Sequence, residues 1–325
     1  MTQVLIFVED PGAVNYVVGL QSELELICVN STVFSSSAML PYASAKQLHV
    51  EVLSSGYDVN KLLENMQPEL ILVGTSEDPD AVGLSLLRAA RVRGIKNVGF
   101  IDAFANSDYR FKGRTEDSLG NAPEWLFVPD QWTKKEYVRL GFPRKNIHIT
   151  GHPHYDNVRA AIKKLESENV FALRNKYAPS AAVDDLVMVF VAEPMGGLNP
   201  RQFEKSSEYT LHGRGTSNVR SNIVIEEFLN AVKTLPKVPY LVLRLHPKNS
   251  REDFEAYHHE FDFVSSGGSP TELIFTANAV VGMTSMLVFE AAIAGKPTLS
   301  ILPREIEKNW LPSIRSGATK CATTR

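Results

Sequence analysis

Cysteine is scarce in this sequence: Cys28 and Cys321 are the only two in 325 residues. Two thiols exclude a disulfide framework and a four-cysteine zinc site. Thiols that stay reduced point to the cytoplasm. Long apolar runs are missing too. The most apolar stretch, 279–294, carries Glu290 in its middle and falls short of the roughly 20 residues a membrane-spanning helix needs. Residues 1–8 have no basic cluster ahead of their apolar run, so they read as a first strand and not a signal peptide. Nor is there an excess of either charge. Lys and Arg number 34 against 37 Asp and Glu, a net charge of −3, which gives no footprint for coating a nucleic acid. Peripheral contact with a membrane surface is compatible with this composition and not demanded by it.

What remains is an ordinary globular composition, 44% hydrophobic, 9% aromatic and 22% charged. Domains run about 100–200 residues, so the length predicts about two. In the first half, apolar strands at 4–8, 70–74, 97–101, 125–128 and 147–150 alternate with helical patterns at 14–20 and 83–93. The second half repeats the logic. A charged amphipathic helix over 157–176 leads to strands at 186–191, 240–245, 279–282 and 298–302. Helices are expected at 219–232, 251–259 and 286–294. Strand, loop and helix in alternation imply parallel sheets covered by helices. The boundary falls near 151–155, giving domains 1–153 and 154–325. The segment 196–217, rich in Gly, Ser, Asn and Arg, has no period and reads as a long loop.

Open parallel sheets bind ligands beyond the carboxyl ends of their strands. That filter selects Glu9, Asp10 and Gly12; Gly74, Thr75 and Ser76; Asp102; Glu193, Gly196 and Gly197; His246, Pro247 and Lys248; and Thr284 with Ser285. Gly282-Met283-Thr284-Ser285 ends a strand and opens a helix. Free N–H groups and hydroxyls there suit an anion, and a plain N-cap is equally compatible. Glu290 sits among Val288, Phe289, Ala291, Ala292 and Ile293. A carboxylate in such company needs a partner, for which a ribose diol would serve, or it faces water. His246 is flanked by Arg244 and Lys248, a set able to hold a phosphate. Asp10 and Asp102 are candidate general bases. Asp10 is the stronger because Gly12 lets a ligand approach the backbone. The plainer alternatives are a turn former for Asp10 and an N-cap or a salt bridge to Arg110 for Asp102.

Other constellations fail. His152 and His154 lack the carboxylate or cysteine that would complete a metal site, so no metal is expected. The trio Glu77, Asp78 and Asp80 reads as a solvated loop. There is no phosphate loop, no Gly-x-Gly-x-x-Gly and no nucleophile elbow.

The two parallel-sheet halves, RLHPK (244–248), GMTSMLVFEAAIAGKP (282–297) and ITGHP (149–153) together resemble the glycosyltransferases of the GT-B superfamily. The resemblance covers most of the chain as architecture, and its motifs are short. It implies two Rossmann-like domains facing a cleft, the N-terminal one for the acceptor and the C-terminal one for the donor nucleotide. The His-Pro pair and the later hydroxyl pair are similar to motifs of bacterial sialyltransferases, Kdo transferases and CDP-glycerol glycerophosphotransferases. By that likeness His246, Thr284 and Ser285 contact the donor phosphate, with Arg244 and Lys248 beside them, and Glu290 binds ribose. Asp10, in EDPG (9–12), resembles the catalytic base of those sialyltransferases, with a proline intervening. Gly12, Gly196 and Gly197 would form glycine loops. The implied activity is metal-independent transfer of a sugar or polyol phosphate from a nucleotide-activated donor to a glycan or lipid-linked acceptor, in surface polysaccharide synthesis, with no cofactor beyond the co-substrate. UDP-GlcNAc 2-epimerases share the fold and the final EAAIAGKP-like segment, but their acidic-Gly-Leu-Arg stretch is replaced by GFIDAF (99–104). A sugar-nucleotide epimerase or hydrolase is therefore the first alternative, and a non-catalytic binding protein the second.

Overall fold

The computed structural model describes every residue except Met1, Ser55, Phe104, Leu198 and Asn199. The strand expectation at Met1, the loop expectation at Leu198 and Asn199, and the last position of GFIDAF lie outside the described residues. The chain divides into two compact units, Met1–His154 and Tyr155–Arg325.

The first unit holds a seven-stranded parallel sheet: β1 (Gln3–Val8), β2 (Asn30–Ser36), β3 (Glu51–Leu53), β4 (Leu70–Gly74), β5 (Lys96–Phe100), β6 (Trp125–Val128) and β7 (Ile147–Ile149), in the order β3-β2-β1-β4-β5-β6-β7. Side chains of a strand alternate between faces, and β1 shows the consequence. Leu5 and Phe7 join one buried cluster with Ile71, Leu86 and Phe111, whereas Val4, Ile6 and Val8 join another with Val14, Val33 and Phe100. Both faces are covered, as a parallel sheet requires. Each fully buried Leu, Ile or Phe contributes about 1.5–3 kcal/mol.

The second unit repeats the plan with six parallel strands: β8 (Val187–Val191), β9 (Tyr240–Arg244), β10 (Phe263–Ser265), β11 (Ala279–Gly282), β12 (Thr298–Ile301) and β13 (Lys320–Ala322), ordered β10-β9-β8-β11-β12-β13. Val187, Val189 and Val191 face one cluster and Phe190 the other. In each sheet the order reverses beside the first strand, between β1 and β4 and between β8 and β11. Those two reversals open crevices at the strand ends where ligands of doubly wound sheets bind.

Several local expectations change. The helix expected over 157–176 is two, His154–Leu165 and Val170–Tyr177; Asn169 caps the second through the N–H groups of Phe171 and Ala172. The helix expected over 14–20 starts earlier, at Pro11–Val17, because Asp10 caps it, and it stops before Gly19, whose φ of 85° breaks the spiral. The 251–259 helix is 3₁₀, over Glu252–Glu260. The 196–217 loop includes a 3₁₀ turn at Pro200–Gln202, and Glu204 bridges Val219.

Candidate functional site

In the first unit, side chains from the ends of β1, β4 and β5 converge around Gly12. The carboxylate of Asp10 accepts the Gly12 N–H at 2.8 Å. Asp102, just beyond β5 and 5% exposed, lies so close to the Gly12 Cα that a methyl there would stand 1.8 Å from its Oδ2. Thr75, just beyond β4, donates to Asp102 at 3.2 Å and accepts from Arg110 at 2.8 Å. Arg110 reaches Asp102 directly at 3.4 Å and Glu77 at 3.7 Å. Burial pushes the Asp102 carboxyl up to about 6; Arg110 opposes that rise and the Asp10 charge adds to it. A carboxyl poised there exchanges a proton in either direction near neutral pH.

Two neighbours complete this end of the sheet. Glu9 accepts the N–H groups of Val82 and Gly83 at 2.9 and 3.0 Å, so it caps the helix Val82–Arg93 from another strand. Its burial outweighs those donors and lifts its pKa to about 7. His152 is buried, with its ring 5.0 Å from that of Tyr16 at a tilt of 59°, and Tyr16 stacks on Phe100 at 4.5 Å. The His152 Nδ1 accepts the His154 N–H at 3.3 Å, which places the ring proton of the neutral form on Nε2. Burial, with His154 nearby, lowers its pKa to about 3, against the pull of a hydrogen bond to the Asp102 backbone.

In the second unit the crevice between β8 and β11 is occupied by Glu193. Its carboxylate accepts the Thr284 N–H at 2.5 Å and the Thr284 hydroxyl at 3.2 Å. Its other oxygen is held by Arg220 at 2.6 Å. Arg220, buried at the start of the helix Arg220–Val232, also grips Glu307, and Glu307 binds Arg304 at 2.6 Å. Arg304 lies over the rings of Tyr209 and Trp310. Ser285 caps the helix Met286–Ile293 by accepting the Leu287 N–H at 3.2 Å. Glu290 is on that helix and 8% exposed, so the water-facing alternative does not hold.

At the end of β9, His246 Nδ1 accepts the Lys248 N–H at 3.1 Å. The Lys248 side chain is exposed. Arg244 turns away from that loop: it donates to Ser265 at 2.9 Å and to the carbonyls of Gly267 and Gly268. Burial lowers its pKa.

No protein-family model matches the chain, and no curated protein matches its sequence. Solved structures do match over nearly the whole chain. The UDP-GlcNAc 2-epimerase from Neisseria meningitidis bound to UDP-GlcNAc is 16% identical with a TM-score of 0.70, covering 98% of this chain and 87% of that one. The UDP-GlcNAc 2-epimerase from Methanocaldococcus jannaschii in complex with UDP-GlcNAc and UDP is 15% identical, with a TM-score of 0.68, over 99% and 89%. The S. aureus MnaA–UDP structure is 12% identical, with a TM-score of 0.68, over 100% and 85%. This chain has the GT-B fold.

On that GT-B scaffold the expected residues fall into two groups. Asp10, Gly12 and Asp102 come together at the first crevice. Thr284, Ser285 and Glu290 share one strand end and its helix, with His246 and Lys248 after β9. Other expected residues already have partners or neighbours within the chain. Thr284 gives its N–H and its hydroxyl to Glu193. Arg244 serves the 265–268 loop because its guanidinium is buried under it. Gly197 packs on Phe203, whose ring a Cβ would meet at 2.7 Å, and Gly196 is exposed, so neither shows a cradle. Among the described residues, no group of three His, Cys, Asp or Glu side chains could hold a metal ion, and no helix is long and apolar enough to cross a membrane. Thr75, Glu9 and Glu193 stand at strand ends and were selectable by position. The salt bridge from Asp102 to Arg110, offered as an alternative by the sequence, is present at 3.4 Å, whereas Arg220 and His152 carried no signal for their contacts, which arise only after folding.

Proposed function

We propose that this protein acts on a nucleotide sugar as an epimerase or hydrolase of the UDP-GlcNAc 2-epimerase kind. The observation that carries the reading is Asp102, a buried carboxyl raised to about 6 by its surroundings and packed against Gly12 at the end of β1, in a chain whose fold matches epimerases over 98% and 99% of its length. Inverting a sugar carbon needs a proton removed from one face and returned to the other. A carboxyl poised near neutrality performs either half, and Asp10 is placed to share the task. The neighbouring charge of Arg110 keeps part of the Asp102 population ionised, as a base must be.

In the second unit, His246, Lys248 and the helix beginning at Ser285 would hold the nucleotide phosphates, and Glu290 the ribose. Donors fixed before the reaction stabilise charge on a departing phosphate without reorganisation. This reading takes precedence over a glycosyl or polyol-phosphate transferase in polysaccharide synthesis, because the similar structures named above include two epimerases solved with UDP-GlcNAc. It needs no acceptor and no membrane.

The test is incubation of the purified chain with UDP-GlcNAc alone, followed by proton NMR. The expected result is a 2-epimeric N-acetylhexosamine product, with Asp102→Asn slowing its appearance by about 10²–10⁴-fold. Consumption that begins only when a glycan or lipid-linked acceptor is added would return the protein to the transferases.

A further inference from the structure

We propose that Glu193 is a resident anion in the second crevice, which the phosphates of an incoming nucleotide must displace, so that it sets how much each phosphate adds to affinity. The proposal rests on the nucleotide-sugar reading above and concerns the same site.

The argument starts from topology. Strand order reverses between β8 and β11, and the crevice there is where a doubly wound sheet receives a phosphate. Glu193 follows β8 and Thr284 follows β11. The Thr284 N–H and hydroxyl, the groups an incoming phosphate oxygen would seek, both donate to Glu193. A phosphate oxygen and this carboxylate therefore compete for the same donors, and as like charges they cannot share them.

Displacement is feasible because Glu193 is held from two sides. Arg220 binds its second oxygen at 2.6 Å. Arg220 is in turn balanced by Glu307, and Glu307 by Arg304. Two arginines and two glutamates sum to zero charge. When a phosphate takes Thr284, the Glu193 carboxylate keeps its Arg220 partner and need not enter water. The Glu193 side chain is 13% exposed, so solvent reaches the contact that must open. A neutral nucleoside does not contest these donors, whereas each added phosphate does. The consequence is a nucleotide held less tightly through its phosphates than the helix start alone would allow, and released more readily.

The experiment is calorimetric titration of the full chain with uridine, UMP and UDP. It compares the wild type with Glu193→Gln and Glu193→Asp. Gln removes the charge. Asp keeps a charge for Arg220 and withdraws it by one methylene from Thr284, so it stays informative if the Gln variant fails to fold in a thermal scan. The expected result is a UDP affinity at least tenfold higher in Glu193→Gln, with uridine affinity within twofold of wild type and Glu193→Asp between the two. Where uridine is too weak to titrate, the step from UMP to UDP is read the same way. Equal gains for uridine and UDP, or no gain for UDP, overturn the proposal and leave the nucleotide reading intact. Absence of binding by all three ligands to every variant at millimolar concentration sinks the nucleotide reading, and the proposal with it.

Discussion

Asp102 rests against the backbone of Gly12, its Oδ2 standing 1.8 Å from where a Cβ on that glycine would be. On the other side Asp10 Oδ1 would be 3.3 Å from the same Cβ. Position 12 therefore has no room for a side chain, and its openness is what lets the two carboxylates approach one another. Gly12→Ala must push Asp102 off Thr75 and Arg110. Overpacking of this kind costs about 1–3 kcal/mol. In a unit of this size that is a fall in Tm of about 2–4 °C per kcal/mol, read in a thermal scan.

That relationship marks how far the sequence alone could be read. Strands β1, β4, β5, β6, β8, β9, β11 and β12 are short apolar runs bounded by turn residues, and the ends of β1, β5 and β11 named Asp10, Asp102, Thr284 and Ser285. Strand β2 escaped because Asn-Ser-Thr at its start and Ser-Ser at its end leave only Val33, Phe34 and Ser35 buried. Strands β3, β10 and β13, three residues each, were missed as well, whereas the equally short β7 was expected over 147–150. The site was legible as a set of strand ends. Its wiring was not: Glu193 meets Thr284 across 91 residues and Arg220 meets Glu307 across 87. Such partners are chosen by sheet order, which composition and spacing do not encode.

Glu9 gives a prediction whose sign depends on pH. Its carboxyl is raised to about 7 in the folded chain, burial being the main cause, from about 4.5 unfolded. Between those values the folded chain keeps a proton that the unfolded chain has lost. Stability from this group is therefore present below about pH 4.5 and declines as pH rises through 7. Glu9→Gln cannot ionise and escapes the decline. Relative to wild type it should gain up to about 3 kcal/mol between pH 5 and 8, measured by urea unfolding at stepped pH. A gain that stays flat across that range would show that the carboxyl is ionised throughout.

Arg220 supports a different expectation. It is 4% exposed and stands between Glu193 and the fully buried Glu307. Removing one partner of a buried ion pair leaves uncompensated charge and costs about 3–5 kcal/mol. Arg220→Ala strands two carboxylates at once, so a loss at the top of that range is expected in the urea midpoint. Arg304, still bound to Glu307, limits the damage on one side only. Glu193 would then have Thr284 alone.

His152 tests the first unit from the acid side. Burial and the nearby His154 hold its pKa at about 3, against about 6.5 in an unfolded chain. Below pH 6.5 the unfolded chain takes up a proton that the folded chain refuses. The contribution of this histidine is thus complete above 6.5 and is lost as pH falls towards 3. His152→Asn removes the titration while its amide can still accept from the His154 N–H and donate to a carbonyl. It forfeits the contact with Tyr16, a cost that does not vary with pH. The two effects separate in one experiment. At pH 7 the variant should be less stable than wild type, and between pH 7 and 4 it should lose about 3 kcal/mol less than wild type does. Parallel pH curves for the two proteins would mean that the ring accepts a proton where it stands, and that its bond to the His154 N–H opens on acidification.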